Sequence, residues 1–351
     1  MVKEGTGSTQ TRVAALDGLR AVAVLMVICG HLAPTYLPGG GHGVDLFFAL
    51  SGYLITSILL REFEKSGTIS FGHFYLRRIA RLMPALVLVL IGACLAVQFA
   101  PGNIFGWNEV LYAATYTMNW ARAFGYGDSL ILGHTWSLGI EEQFYILWPL
   151  LLLIVLKWRP SAAPLLSMLL ALLSAIVSGL LYWNGASIMR IYNGFDARAV
   201  ELLVGCALAF LPLQSRFAIF LGRSWFVPAL IGIVLSFIPI GFGFYALGGY
   251  TLLGLLGAWI IAALQTRSWL ARVLEQKFLA YIGRISYGVY LWHYLVQGVA
   301  EVNGLHGIPR DLVVVIVTFA AAALSYHFVE APILRATGNR WSGIPQFSKG
   351  G

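Results

Sequence analysis

Residues 16–32 read LDGLRAVAVLMVICGHL, and this stretch decides the fold class. Its Ala, Val, Leu, Ile and Met content is that of a membrane helix, yet Asp17 and Arg20 stand near one end and His31 near the other. Arg20 and His31 are eleven positions apart. At about 100° and ~1.5 Å per residue they share one helix face, separated by ~16 Å, about half a hydrocarbon core. The pattern predicts a fixed cation near one membrane surface and an exchangeable proton well inside. Ionisable groups at such depth are costly, and they point to function.

Working outward, the whole chain fits that setting. It has 351 residues, 59% of them hydrophobic and only 11% charged, with a mean hydropathy of +0.78. A soluble protein of this length carries far more charge, so the fold class is all-α and polytopic in the membrane. The net charge of +8 is explained by topology, and nucleic acid is excluded as a partner in favour of the lipid bilayer. Cys29, Cys94 and Cys206 lie singly within apolar runs, which excludes a disulfide framework and a metal cluster. Residues 16–32 lack a small-residue cleavage site and precede further spans, so they are read as the first span rather than a signal peptide.

Ten spans are predicted, near 14–33, 43–61, 82–100, 136–157, 162–183, 196–213, 224–241, 247–265, 279–300 and 310–331. The apolar run Val110 to Met118 is a candidate re-entrant or interfacial segment. An even count puts both termini on one side. Of 23 Lys and Arg, only Arg122, Arg190, Arg198 and Arg310 then fall in outer segments, so the termini are cytoplasmic by the positive-inside rule. Residues 1–340 form one integral membrane domain and 341–351 a flexible cytoplasmic tail. Residues 61–83, REFEKSGTISFGHFYLRRIARLM, mix aromatics with Arg77, Arg78 and Arg81 as an interfacial helix does.

Further polar constellations sit within or beside these spans. LPGGGHGVDLFFALSGYLIT at 37–56 surrounds His42 with glycines and leads to Asp45, which either serves a ligand or caps the next helix, and to Ser51. HTWSLGIEEQFYILWP at 134–149 sets Ser137 and Glu141 four apart on one face, with Glu142 adjacent. A carboxylate there must pair, protonate or face water. Arg198 and Glu201 at i and i+3 read as a structural pair. His293, and His327 with Glu330, rank below His31, because single membrane histidines are commonly satisfied packing groups.

Together Arg20-x10-His31, GVDLFFALSGYL (43–54), Arg78-x-x-Arg81, SLGIEEQFY (137–145), RAVEL around Glu201, ISYGVYLWH ending at His293 and FVEAP at Glu330 resemble the membrane acyltransferase-3 family. The resemblance runs from about Leu16 to Pro332; the one departure is WHYL at 292–295 where the family carries a WHWP-like sequence. It implies a ten-span enzyme of the bacterial inner (cytoplasmic) membrane that moves an acyl group, usually acetyl, from cytoplasmic acyl-CoA to a hydroxyl. Typical acceptors are glycans of the cell envelope or secondary metabolites such as macrolides. Larger members append an extracytoplasmic hydrolase-like domain, so this chain reads as the stand-alone membrane domain. By position, Arg20, His31, Arg78, Arg81 and Glu141 match the family's functional sites.

The residues' own chemistry agrees with that implication. A hydroxyl attacks a thioester only if a base takes its proton, and His31 in its neutral form is suited to that task. The phosphates of acetyl-CoA need guanidinium forks, which Arg78, Arg81 and Arg20 offer. Glu141 orients His31, balances charge or contacts the acceptor. Asp45, Ser51, Ser137, Glu142 and His293 are supporting candidates, and no metal is called for. A proton-coupled transporter is the rival reading, since buried His, Arg and Glu also serve carriers. No half-repeat or paired broken helices favour it, and a scaffold role leaves the intramembrane charges unexplained.

Overall fold

A computed structural model describes residues 7–99, 107–127, 131–212, 215–266 and 268–340. The expected tail at 341–351 lies outside the described residues. Among those described, the elements are helical throughout, as the composition requires of a chain that must satisfy its backbone within a bilayer.

The helices in chain order are α1 (Gly7–Leu32), α2 (His42–Ser66), α3 (Phe71–Phe99), α4 (Trp107–Ala114), α5 (Met118–Ala123), α6 (Trp136–Trp158), α7 (Ala163–Trp183), α8 (Ile188–Asn193) and α9 (Phe195–Leu208). They continue with α10 (Arg216–Arg223), α11 (Phe226–Phe237), the single turn α12 (Phe242–Phe244), α13 (Tyr250–Leu264), α14 (Trp269–Leu274), α15 (Lys277–Val302), α16 (Gly307–Ser325) and α17 (Ala331–Arg340). Two π-helical turns, Tyr245–Gly249 and Tyr326–Glu330, precede α13 and α17.

Seven helices are long and apolar enough to cross a membrane, or eight if α10 and α11, bent by 51°, count as one span. The other two expected spans are helices of a different character. At 14 residues α9 is ~21 Å long, short of a ~30 Å hydrocarbon core, and it carries buried Arg198 and Glu201. α15 has 26 residues but too many polar side chains for a lipid-facing helix, and half of its residues are buried inside the bundle. The segment expected to lie along the surface at 61–83 is instead split. Its first part ends α2, and from Phe71 onward it is the start of α3, which runs unbroken through Pro84. The run at 110–118 forms short α4 and the start of α5, in keeping with an interfacial or re-entrant piece.

Two packing relations place the site. α1 and α15 run side by side over the largest helix–helix contact of the fold. They approach so closely at Gly283 that a Cβ there would overlap the backbone carbonyl of Asp17. α2 is held to α6 by hydrogen bonds between Ser51 Oγ and Tyr145 OH (2.5 Å) and from Trp148 Nε1 to Thr56 Oγ1 (2.8 Å). At the His31 end of α1, Arg310 from the start of α16 donates to the Leu32 carbonyl at 3.1 Å and pairs with Glu301 and Asp311. That bond satisfies one of the carbonyls left open by the last turn of α1, the turn that carries His31.

The close approach at Gly283 gives a stability test with an internal control. Gly283→Ala should lower thermal stability by about 1–3 kcal/mol through overpacking. Gly179→Ala, in α7 with nothing within 4 Å of the added methyl, should leave it unchanged or raise it by up to ~1 kcal/mol. Unfolding of both purified variants in the same detergent checks the opposite signs.

Candidate active site

Four of the longest helices and α1 converge on a cavity of about 90 Å³. α1 supplies Arg20, α2 supplies Phe48 and Ser51, and α3 supplies Arg78 and Arg81. α6 adds Ser137, Glu141 and Tyr145, and α15 adds Ser286, Tyr287 and Tyr290. Six of the residues singled out in the sequence therefore meet around one cavity. The i, i+3 spacing of Arg78 and Arg81 turns both toward it, and the i, i+4 spacing of Ser137, Glu141 and Tyr145 does the same on α6.

Local interactions aim these groups. Arg20 Nη1 donates to Asp17 Oδ1 at 2.8 Å, one helical turn earlier. The Arg78 guanidinium lies 4.8 Å from the centre of the Tyr145 ring and 5.8 Å from that of Phe74, a stacking that holds its plane. Glu141 sits beside Ser51 and Tyr145, with Arg78 and Arg20 acting on it electrostatically. Arg81 is within the field of Arg20, Arg78 and Asp17. Three guanidiniums against Glu141 and Asp17 leave the cavity cationic, suited to a phosphate-bearing ligand. Glu142 lies outside the lining, between the field of Glu141 and that of Arg78. Next to it Gln143 donates to Asn119 Oδ1 at 3.0 Å and accepts from Trp120 Nε1 at 3.2 Å, tying α5 to α6.

His31 is not part of this lining. It lies in the last turn of α1, eleven residues beyond Arg20 along the apolar stretch Ala14–Leu32. There it joins a second cluster. Its ring is 5.1 Å from that of His293 and 5.3 Å from that of Tyr294. His134, in the short 3-10 turn Gly133–Thr135 that leads into α6, lies 5.3 Å from His293, 5.2 Å from Tyr290 and 5.0 Å from Tyr294. His31 Nδ1 bonds to the Val27 carbonyl at 2.9 Å, and His293 Nδ1 bonds to the Tyr290 carbonyl. Arg122 of α5 lies against Gly133, where a Cβ would collide with its guanidinium, and its charge acts on His31 and His134. Among the described residues no group of three His, Cys, Asp or Glu is arranged to hold a metal.

Tyr290 joins the two clusters. Its hydroxyl lines the cavity side, donates to the His134 carbonyl at 2.8 Å and accepts from Ser137 Oγ at 2.7 Å. The same residue's carbonyl fixes His293. Among the described residues no contact links Glu141 to His31, so Glu141 belongs with the arginines and does not orient the imidazole.

Asp45 belongs to neither cluster. Its carboxylate takes a hydrogen bond from Arg198 Nη2 at 2.5 Å, so it neither caps α2 nor reaches the cavity. Arg198 also donates through Nε to Glu201 at 3.0 Å, as the structural-pair reading expected, and stacks 3.9 Å from the Tyr250 ring centre. With exposures of 1% and 0%, Arg198 and Glu201 form a sealed knot between α2, α9 and α13. His327 bonds to Tyr281 at 3.1 Å, a packing role. The residues the sequence reading passed over are His134, Tyr290, Tyr294 and Arg122. His134 opens the quoted stretch HTWSL, but nothing in one sequence brings it to His293, 159 positions away.

Residues 13–328 match the model of the acyltransferase domain family. The chain is 37% identical to the peptidoglycan O-acetyltransferase OatA of Listeria monocytogenes, over 99% of this chain and 59% of that protein. It is 36% identical to a Bacillus subtilis protein provisionally named a peptidoglycan O-acetyltransferase, over 95% of this chain and 56% of that one. Staphylococcus aureus proteins provisionally named O-acetyltransferases are 34% identical over 95% of this chain and 59% of their own. The chain thus spans somewhat under three fifths of the length of the relatives it matches. No solved structure shows a significant match.

The bridge through Tyr290 predicts coupled energetics. Tyr290→Phe and Ser137→Ala should each destabilise by about 0.5–1.5 kcal/mol, and the double variant by less than their sum, since both remove one shared hydrogen bond. A double-mutant cycle on thermal unfolding measures that coupling.

Proposed function

The chain belongs to the acyltransferase domain family, and from that premise we propose that it is an O-acetyltransferase, moving an acetyl group from acetyl-CoA to a hydroxyl of a cell-envelope carbohydrate of the peptidoglycan class. The observation that carries the reading is the gathering of Arg20, Arg78, Arg81 and Glu141 around one cavity, with His31 further along the same helix as Arg20. In this reading the arginine end faces the cytoplasm of a bacterium and the histidine end faces outward, across the cytoplasmic membrane. The names of the relatives favour a glycan over a macrolide as acceptor.

The CoA phosphates bind the guanidiniums of Arg78, Arg81 and Arg20 through charge-assisted hydrogen bonds. Glu141 balances that positive charge and keeps the forks oriented before the ligand arrives. The pantetheine arm runs along α1 past the Ser137–Tyr290 pair, bringing the thioester toward His31. His31 bonds through Nδ1 to the Val27 carbonyl. A carbonyl only accepts, so Nδ1 carries the proton and Nε2 offers the lone pair of a base. Nε2 takes the acceptor's hydroxyl proton as the oxygen attacks the thioester carbon. The C–O bond forms, the C–S bond breaks, and the leaving thiolate takes up a proton as free CoA. Transfer is direct, with no acyl-enzyme required.

Free thiol is the diagnostic product. Purified protein given acetyl-CoA should release it in proportion to added muramyl oligosaccharide, whereas uptake of protons without thiol would mark a carrier. His31→Ala should abolish release while the protein inserts and elutes as the wild type does; retained turnover removes His31 from the base role. Arg78→Ala should raise the KM for acetyl-CoA about tenfold or more, the worth of one charged hydrogen bond, with the acceptor KM little changed. The reverse split would move the donor site elsewhere.

A further inference from the structure

Resting on that reading and deepening it, we propose that the cluster of His31, His134 and His293 is a separate subsite for the acceptor, one that takes neighbouring neutral hydroxyl groups of a sugar. The cavity and the cluster are distinct places, since none of the three histidines lines the arginine cavity.

The hydrogen bonds within the cluster define what it wants. Two of the imidazoles spend Nδ1 on backbone carbonyls, Val27 for His31 and Tyr290 for His293. Both carbonyls are pure acceptors, so each neutral ring presents an Nε2 lone pair. His293 is fully buried and its Nε2 has no partner. His134 is 3% exposed and neither of its ring nitrogens makes a hydrogen bond of good geometry. Buried polar atoms left this way are costly, so such orphans call for a ligand or water that completes them.

Three classes of ligand face that surface differently. A cation would satisfy the lone pairs but meets the charge of Arg122, which acts on both His31 and His134. An anion would suit Arg122 and be repelled by two Nε2 lone pairs. A neutral polyol donates O–H to adjacent acceptors, and the His31 and His293 rings, 5.1 Å apart, stand as neighbouring ones. The rings of Tyr290 and Tyr294, edge-on or tilted to the histidines, add the apolar surface that packs against the C–H face of a pyranose. Entry is from the His31 side, because His31 is half-buried where His134 and His293 are closed off.

The test uses the full chain in detergent, with acetyl-CoA and muramyl oligosaccharides from digested peptidoglycan as the probe. His293→Asn keeps an N–H for the Tyr290 carbonyl and deletes the Nε2 acceptor. His134→Phe keeps the ring and deletes both nitrogens, and it carries the test alone if the Asn variant does not elute as folded protein. Two quantities are read: oligosaccharide binding at equilibrium by tryptophan fluorescence, and the KM of each substrate in thiol release. The expected result is oligosaccharide binding weakened about tenfold or more, with a matching rise in its KM and the acetyl-CoA KM unchanged. Binding by the wild type that is lost in the variants, without thiol release by any of them, upholds the subsite and overturns the transferase reading instead. Unchanged oligosaccharide binding in both variants, an acetyl-CoA KM that rises in step, or a wild type that binds no oligosaccharide because the cluster holds water only, each overturns the subsite.

Discussion

The approach of α15 to α1 at Gly283 is the constraint on which the rest of this architecture depends. Both helices run in the same direction, and with no side chain at 283 their backbones meet where Asp17 lies. That contact sets the register for everything above it. One turn further along, Arg20 comes to the same cavity as Ser286, Tyr287 and Tyr290. At the far end, His31 comes to His293. In a membrane the helices gain little from hydrophobic burial against one another, since lipid is equally apolar, and close packing of small residues supplies the cohesion. A single pair of helices therefore fixes both the cationic end and the imidazole end, and the other spans bring partners to them.

Intramembrane charge is handled in two contrasting ways. Around Arg198 the charges are sealed: Asp45, Glu201 and the ring of Tyr250 surround the guanidinium, and exposure falls to 1%. A group so enclosed has no room for a ligand and cannot lose a partner cheaply, which marks it as the element that locks α9 to α2. Around Arg20, Arg78 and Arg81 the balance is left open. Asp17 and Glu141 offset part of the charge, Asp17 through its bond to Arg20, and all three arginines line a cavity. The same residue types are thus sealed by the protein in one place and left lining a cavity in another, and the difference lies in whether the charge is closed by the protein itself.

Much of this was legible in the sequence because it is written at helical spacing. Arg20 and His31 on one face, Arg78 and Arg81 at i and i+3, and Ser137 with Glu141 at i and i+4 are local statements, and each pair lies where its spacing puts it. The pairing of Arg198 with Glu201 was legible for the same reason, while its third partner, Asp45, is 153 positions away and was not. Span counting succeeded where lipid faces the helix. It lost sharpness at α9 and α15, whose polar content reflects burial within the bundle. His134 was hidden differently: one histidine beside a tryptophan has no period, and only the fold sets it against His293 and Tyr290.

The separation of the arginine cavity from the histidine cluster has a chemical logic of its own. In the proposed reaction the donor comes from one side of the membrane and the acceptor from the other, and keeping the two aqueous phases apart protects the thioester from water. Ser137 and Tyr290 stand at the junction, with the Tyr290 hydroxyl donating to the His134 carbonyl and accepting from Ser137, so both hydroxyl protons are committed within the protein. The same tyrosine's backbone carbonyl fixes the tautomer of His293. A change on the cavity side that moved Tyr290 would be felt at the imidazoles through that one residue, without a longer chain of contacts. The arginine cavity and the histidine cluster are thus joined through a hydrogen-bonded hydroxyl pair one residue deep, which in the proposed reaction lies between donor and acceptor.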